Sequence, residues 1–144
     1  MASAAPAGTV LAFDFGTQRI GVAVGETRLG IAHPLLTIAN GGGERFKAIE
    51  ALVAEWRPAL LLVGLPTHAD GTPHAMTARA RRFARALEGR FALPVALADE
   101  RFTTQAASSA LRSAGTKARA GRAVRDAVAA QYILQAYLDR RRAA

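Results

Sequence analysis

The chain has 144 residues, 51% of them hydrophobic and 21% charged, with a formal net charge of +8 and no cysteine. That balance describes a single folded domain with a sizeable core and leaves no room for two large lobes. It excludes disulfides and thiolate metal centres and fits a reducing, cytoplasmic setting. Of the 19 basic residues only Lys47 and Lys117 are lysine; the rest are arginine. Such an excess points either to a polyanionic partner or to a compositional bias that enriches arginine and alanine together, so the placement of the arginines has to decide.

Residues 1–9 lack a basic segment followed by a long apolar one, and read as a disordered leader rather than a signal peptide. No apolar run approaches the length of a membrane span, so no membrane partner is expected. Residues 10–140 read as one domain. The stretch VLAFDFGTQRIGVAV opens it. Residues 10–15 and 19–24 are β-branched or aromatic runs separated by Gly16-Thr17, and read as two strands. Residues 30–38 form a third strand carrying Pro34, which suits an edge position. Tight turns between them require an antiparallel meander.

After the Asn40-Gly41-Gly42-Gly43 linker the periodicity changes. Glu44–Trp56 is helical, with Phe46, Ile49, Leu52 and Val53 on one face, and Pro58 closes it by barring Arg57 from the helical region. Residues 60–63 are a continuous apolar strand, covered on both faces. A glycine-bounded loop follows, in which Asp70-Gly71 is a turn and Thr72 an N-cap. Residues 74–89 form a second helix, with Met76, Ala80, Phe83 and Leu87 on one face and Arg81, Arg82 and Arg85 opposite. Those arginines are first of all a solvated face, with a nucleic-acid-gripping surface as the alternative reading. A fifth strand is expected over 94–98 and a helix over 103–113, capped by Thr103 or Thr104. A polar, basic loop is expected over 115–121. A last helix is expected over about 123–140, with Val124, Val128, Leu134 and Leu138 inward. The order βββαβαβαα gives an α/β fold, a mixed sheet flanked by helices.

Asp14 is the anomaly of the first strand, since a carboxylate there is costly unless hydrogen-bonded, ion-paired or bound to metal. It alternates with Phe13 and Phe15 and so faces away from them. Glu100 lies just past the fifth strand, in DERF, and Asp126 lies early in the last helix. Each has a plain structural explanation. The Gly16-Thr17 turn can satisfy Asp14, Arg101 can pair with Glu100, and the positive end of its helix dipole favours Asp126. In a five-stranded sheet ordered 3-2-1-4-5, however, strand one is central and parallel to strands four and five, and its carboxyl end is where α/β sheets place their sites. Hard oxygen ligands without cysteine suit Mg²⁺ or Mn²⁺, and two such ions support phosphodiester hydrolysis.

Five pieces in order, DFGTQRIGVAV, VGLPTHADGT, TARARRFARALEGRF, DERFTT and RDAVAAQYILQAYL, resemble the YqgF/RuvX family of the ribonuclease H-like superfamily, over about Val10 to Leu138. The resemblance implies a ribonuclease H-like fold and a metal-dependent phosphodiester nuclease with Asp14, Glu100 and Asp126 as its acids and metal ligands. The expected role is processing of the 5′ end of pre-16S ribosomal RNA in ribosome biogenesis; Holliday junction resolution on DNA and non-catalytic RNA binding are the alternatives. The chain departs from the family at His68, where members often carry asparagine, and lacks the strand-four acid of related resolvases. Asp70 and Asp99 have no assigned part. For the substrate side, the residues nearest the acids are Arg19, His68, Arg101, Thr103, Lys117, Arg119, Arg122 and Arg125, contacts that position a phosphate backbone without reading sequence. The loop before Asp126 reads either as a mobile substrate clamp or as a solvated helix connection. A resolvase needs a symmetric dimer, but the apolar stripes are used by one core, so a monomer is expected, with a weak dimer as the alternative. DFGT also resembles the first phosphate-binding turn of actin-like and sugar kinases, which need two lobes.

Overall fold

The computed structural model describes residues 6–65, 76–99 and 118–143, with the side chains of 118–123 and 143 left aside. The strands are β1 (Thr9–Phe15), β2 (Arg19–Glu26), β3 (Ile31–Ala39), β4 (Leu60–Leu65) and β5 (Val95–Asp99); the helices are α1 (Glu44–Trp56), α2 (Thr77–Phe91) and α3 (Ala118–Ala143). The strands form one sheet in the order β3-β2-β1-β4-β5. β1 is antiparallel to β2 and β2 to β3, whereas β1 and β4, and β4 and β5, run parallel. This is the α/β mixed sheet expected from the element order.

Alternation along β1 divides the interior into two layers. Leu11, Phe13 and Phe15 join Ile20, Val22, Leu61 and Val63 against α1 and α2, where Ile49, Ala80, Phe83 and Leu87 are buried. Val10 and Ala12 join Ala23, Leu60 and Leu62 against α3, which contributes Ala130, Ile133, Leu134 and Leu138. The first layer is built on aromatics, with Phe83 packed on both Phe13 and Phe15. The second uses small residues on the meander, and these let α3 lie close to the sheet.

Pro34 lies on β3, the edge strand, as expected for a residue that cannot donate to a ladder. The β2–β3 register shifts between Val22 and Ala23, leaving Leu35 out of the pairing. Two glutamines of α3 cover part of this edge: Ala32 N–H donates to Gln135 Oε1 at 2.9 Å, and Gln131 and Gln135 donate back to the carbonyls of Ala32 and Gly30. Backbone groups that would otherwise invite another strand are thus satisfied within the chain.

α1 ends as Pro58 demands. Arg57 is left-handed (φ 46°) and its N–H bonds to the Val53 carbonyl. α2 ends in the same way at Ala92 (φ 53°), a left-handed alanine with no sequence signal.

Two expectations about the last helix are corrected. It begins at Ala118, so 118–121 is helical rather than loop. Gly121, within the expected loop, costs only about 1 kcal/mol in a helix and is flanked by good helix formers. Val124, expected inward, is 45% exposed. Among the described side chains of the helix the first to be buried is Ala127, and Val124 lies one turn before it. Leu134 and Leu138 are fully buried as expected. The helix expected over 103–113 and the Thr72 cap lie outside the described residues.

Candidate active site

Asp14 is the next-to-last residue of β1 and shares the α3 side of the sheet with Val10 and Ala12. Its register partners are Gly21 on β2 and Gly64 on β4. The carboxylate therefore stands between two positions with no side chain. On the Gly21 side that space is taken by α3: a Cβ built on Gly21 would lie 1.8 Å from the carbonyl oxygen of Asp126. Cross-strand partners stand about 5 Å apart, so the backbone of Asp126 sits over the immediate neighbour of Asp14. The two acids come from residues far apart in sequence and meet because one glycine admits the helix.

Arg19 opens β2 on this same side. Its Nε donates to Asp126 Oδ2 at 2.6 Å, with the two side chains 39% and 20% exposed. The pair fixes one carboxylate oxygen and leaves Oδ1 outside it. A concavity of about 160 Å³ lies beside them, lined by Gly16, Thr17, Gln18, Arg19 and Asp126. The turn forming its wall is held in place: Gly16 N–H bonds to the Arg19 carbonyl, and Asn40 Nδ2 donates to the Gly16 carbonyl.

Asp99 is paired in register with Leu65, whose side chain belongs to the α1/α2 layer. Asp99 therefore lies on the opposite face of the sheet from Asp14. Arg125 is exposed on α3 beside Asp126. Arg119 and Arg122 lie on the helical backbone of α3, which corrects the loop expected at Arg119. Glu100, Arg101, Thr103, His68, Lys117 and Asp70 lie outside the described residues. Among the described residues no three potential ligands cluster as a metal site. Gly21 was missed in the sequence; its value depends on which helix lies over it, and only the three-dimensional pairing reveals that.

The Arg19–Asp126 pair is too exposed to hold the fold together. Replacing Arg19 by alanine is expected to cost less than about 1 kcal/mol in urea unfolding. If Asp126 takes part in catalysis, losing its orienting partner lowers turnover by about ten- to a hundredfold. A large stability loss with unchanged turnover would contradict this assignment.

A five-stranded mixed sheet ordered 3-2-1-4-5, with helices on its faces, is the ribonuclease H-like fold. Two structures of RuvC from Thermus thermophilus, one in complex with a Holliday junction substrate, share the fold. The complex aligns at TM-score 0.54 with 18% identity, covering 94% of this chain and 96% of that one. The family model described as "RuvX: Holliday junction resolvase" matches residues 8–140, and the chain belongs to the RuvX (YqgF) family, as its motifs suggested. Relatives named "Putative pre-16S rRNA nuclease" include proteins from Nitrosospira multiformis, 54% identical over 99% of this chain and 95% of that one, and from Dechloromonas aromatica, 57% identical over 92% and 91%. No helix among the described residues is long and apolar enough to cross a membrane.

Proposed function

We propose that this protein is a divalent-metal-dependent nuclease that hydrolyses a phosphodiester bond in precursor 16S ribosomal RNA. The observation that carries the reading is the convergence of Asp14 and Asp126 on one face at the carboxyl edge of the sheet, made possible by Gly21. The near-full-length likeness to relatives named for pre-16S rRNA supports RNA over DNA as the substrate.

The donor set suits a hard cation. Asp14 and Asp126 supply carboxylate oxygens on rigid elements, and Glu100, bonded to the last residue of β5, is the third acid assigned to the shell. When bound, such an ion activates water and stabilises the leaving oxygen. The chain supplies the rest. β1 fixes Asp14 by pairing on both sides. Arg19 engages Asp126 Oδ2 and leaves Oδ1 for coordination, as partners behind metal ligands do. Arg101, Thr103, Lys117, Arg119, Arg122 and Arg125, with His68, are assigned to the phosphates flanking the scissile bond. We place the reaction in the cytoplasm with the protein as a monomer.

The test is incubation with an RNA bearing the unprocessed 5′ leader of 16S rRNA, and separately with a four-way DNA junction, each with Mg²⁺ or with EDTA. Cleavage of the RNA that EDTA abolishes and Mg²⁺ or Mn²⁺ restores is expected. Cleavage of the junction alone would make the protein a resolvase, and binding without cleavage of either would remove the nuclease reading.

A further inference from the structure

The other face of the same sheet edge carries a second basic site. Arg45, Arg79 and Arg82, with Phe15, Phe83 and Ala86, line a concavity of about 360 Å³, within the roughly 300–1,000 Å³ of ligand sites. Phe15 ends β1, Arg45 lies in the first turn of α1, and Arg79 and Arg82 lie in the first two turns of α2. Both helices begin here because β3, like β1 and β4, ends at this edge. Their positive dipole ends add to three guanidinium charges. Among the described residues none of the three arginines forms an ion pair.

Arg45 is the organised member. Its guanidinium lies over the rings of Phe46 and Phe83, 4.8 and 5.9 Å from their centroids. Its Nη1 donates to Asn40 Oδ1, and Asn40 in turn holds the Gly16 carbonyl at the active-site turn. Yet its Nε is buried with no hydrogen-bond partner. A buried N–H of a charged group without an acceptor is costly and calls for an explanation. Stacking has already removed much of the rotamer freedom that an arginine gives up on binding. Arg45, fixed by stacking, and Arg79 and Arg82, which form no ion pair among the described residues although Arg79 Nη1 donates to Met76 Sδ, together match an oxyanion with several acceptor oxygens, and bidentate phosphate recognition is the use to which arginine is best suited.

We propose that Arg45, Arg79 and Arg82 bind a backbone phosphate of single-stranded RNA, a second anchor on the α1/α2 face, separated from the cleavage site by the thickness of the sheet edge. The proposal deepens the nuclease reading and rests on it for the identity of the polymer. The anchor sets where the strand leaves the carboxylates, through the chain Arg45–Asn40–Gly16, and acts on affinity rather than on the chemical step.

The test reads binding apart from cleavage. Anisotropy of a labelled single-stranded RNA oligonucleotide is followed in EDTA across a salt series, for the wild type, for Arg79→Ala/Arg82→Ala and for Arg140→Ala/Arg141→Ala. The last pair removes the same charge at the far end of α3, where Arg142 packs at Gly30. The first double variant is expected to bind about ten- to a hundredfold more weakly, with a log–log salt slope shallower by about 1.4, or 0.7 per lost contact. The control variant is expected to shift little, and both to melt with the wild type. Unchanged affinity and slope, an equal loss in the control, or no binding by the wild type overturns the anchor. Binding that depends on Arg79 and Arg82 in a protein that cleaves nothing would retain the anchor and reject the nuclease reading.

Discussion

Asp14→Asn is expected to abolish cleavage, with a loss of at least about a thousandfold in kcat, while the protein melts within a few degrees of the wild type. The substitution keeps the size and one acceptor oxygen, and replaces the charge and the second oxygen with an amide donor. β1 is paired on both sides and buried around Asp14, so the strand does not depend on the carboxylate for its place. What is lost is the ability to hold a cation at the centre of the sheet edge, and amide oxygens are poor substitutes for a carboxylate in a Mg²⁺ shell. The measurement is single-turnover cleavage of the leader-bearing RNA, with a thermal melt alongside. Cleavage at the wild-type rate would remove Asp14 from the reaction and with it the proposed site.

The largest effect on stability is expected from a methyl group. In Gly21→Ala the new Cβ would fall 1.8 Å from the Asp126 carbonyl oxygen and 2.3 Å from its carbonyl carbon. Both are backbone atoms and cannot turn aside as a side chain would. The helix must lift from β2 or the strand must bend, and overpacking of this severity belongs at or beyond the upper end of its usual range, about 3 kcal/mol or more. Gly21 has no positive φ, so backbone strain adds nothing and the penalty is steric alone. Urea unfolding should show the midpoint falling sharply, and cleavage should fall with it because Asp126 is carried by the displaced turn. Gly41→Ala, at a glycine with nothing within 4 Å, is the matched control and should be nearly neutral. Equal behaviour of the two variants would mean that α3 does not seat on Gly21.

These two residues also show how far the sequence can be read. Asp14 was visible because a carboxylate inside an apolar strand is anomalous in one dimension. α1 was legible at both ends, because Pro58 restricts Arg57 whatever the tertiary context, and Pro34 announced an edge strand because proline cannot donate. Gly21 was silent, since a glycine in a strand has several meanings until the element above it is known. Residues 118–121 misled in the other direction: their polar, basic character suggested a loop, but alanines and arginines carried the helix through Gly121. Val124 followed the apolar period correctly and is nevertheless exposed, because periodicity specifies a helix face but not how much of that face is covered. The pairing of Arg45 with two aromatic rings was invisible, as it joins residues from two helices that share no pattern. The glutamines that cover the β3 edge were equally mute; nothing in their spacing specifies backbone acceptors a hundred residues earlier.

The sequence separation between Arg19 and Asp126, 107 residues, carries a consequence for the order of assembly. The meander that supplies Asp14 and Arg19 precedes α3 in the chain, and local pairing of its three strands is fast. Its α3 side, with Val10, Ala12, Ala23 and Ala32, stays uncovered until the last helix is made. The same helix brings Asp126 to the site and the glutamines to the exposed edge. Docking of this one helix closes the second layer of the core, covers part of the β3 edge and brings Asp126 to Arg19 in a single event. On the proposed assignment, Asp14 and Asp126 come together only when the last layer of the fold closes.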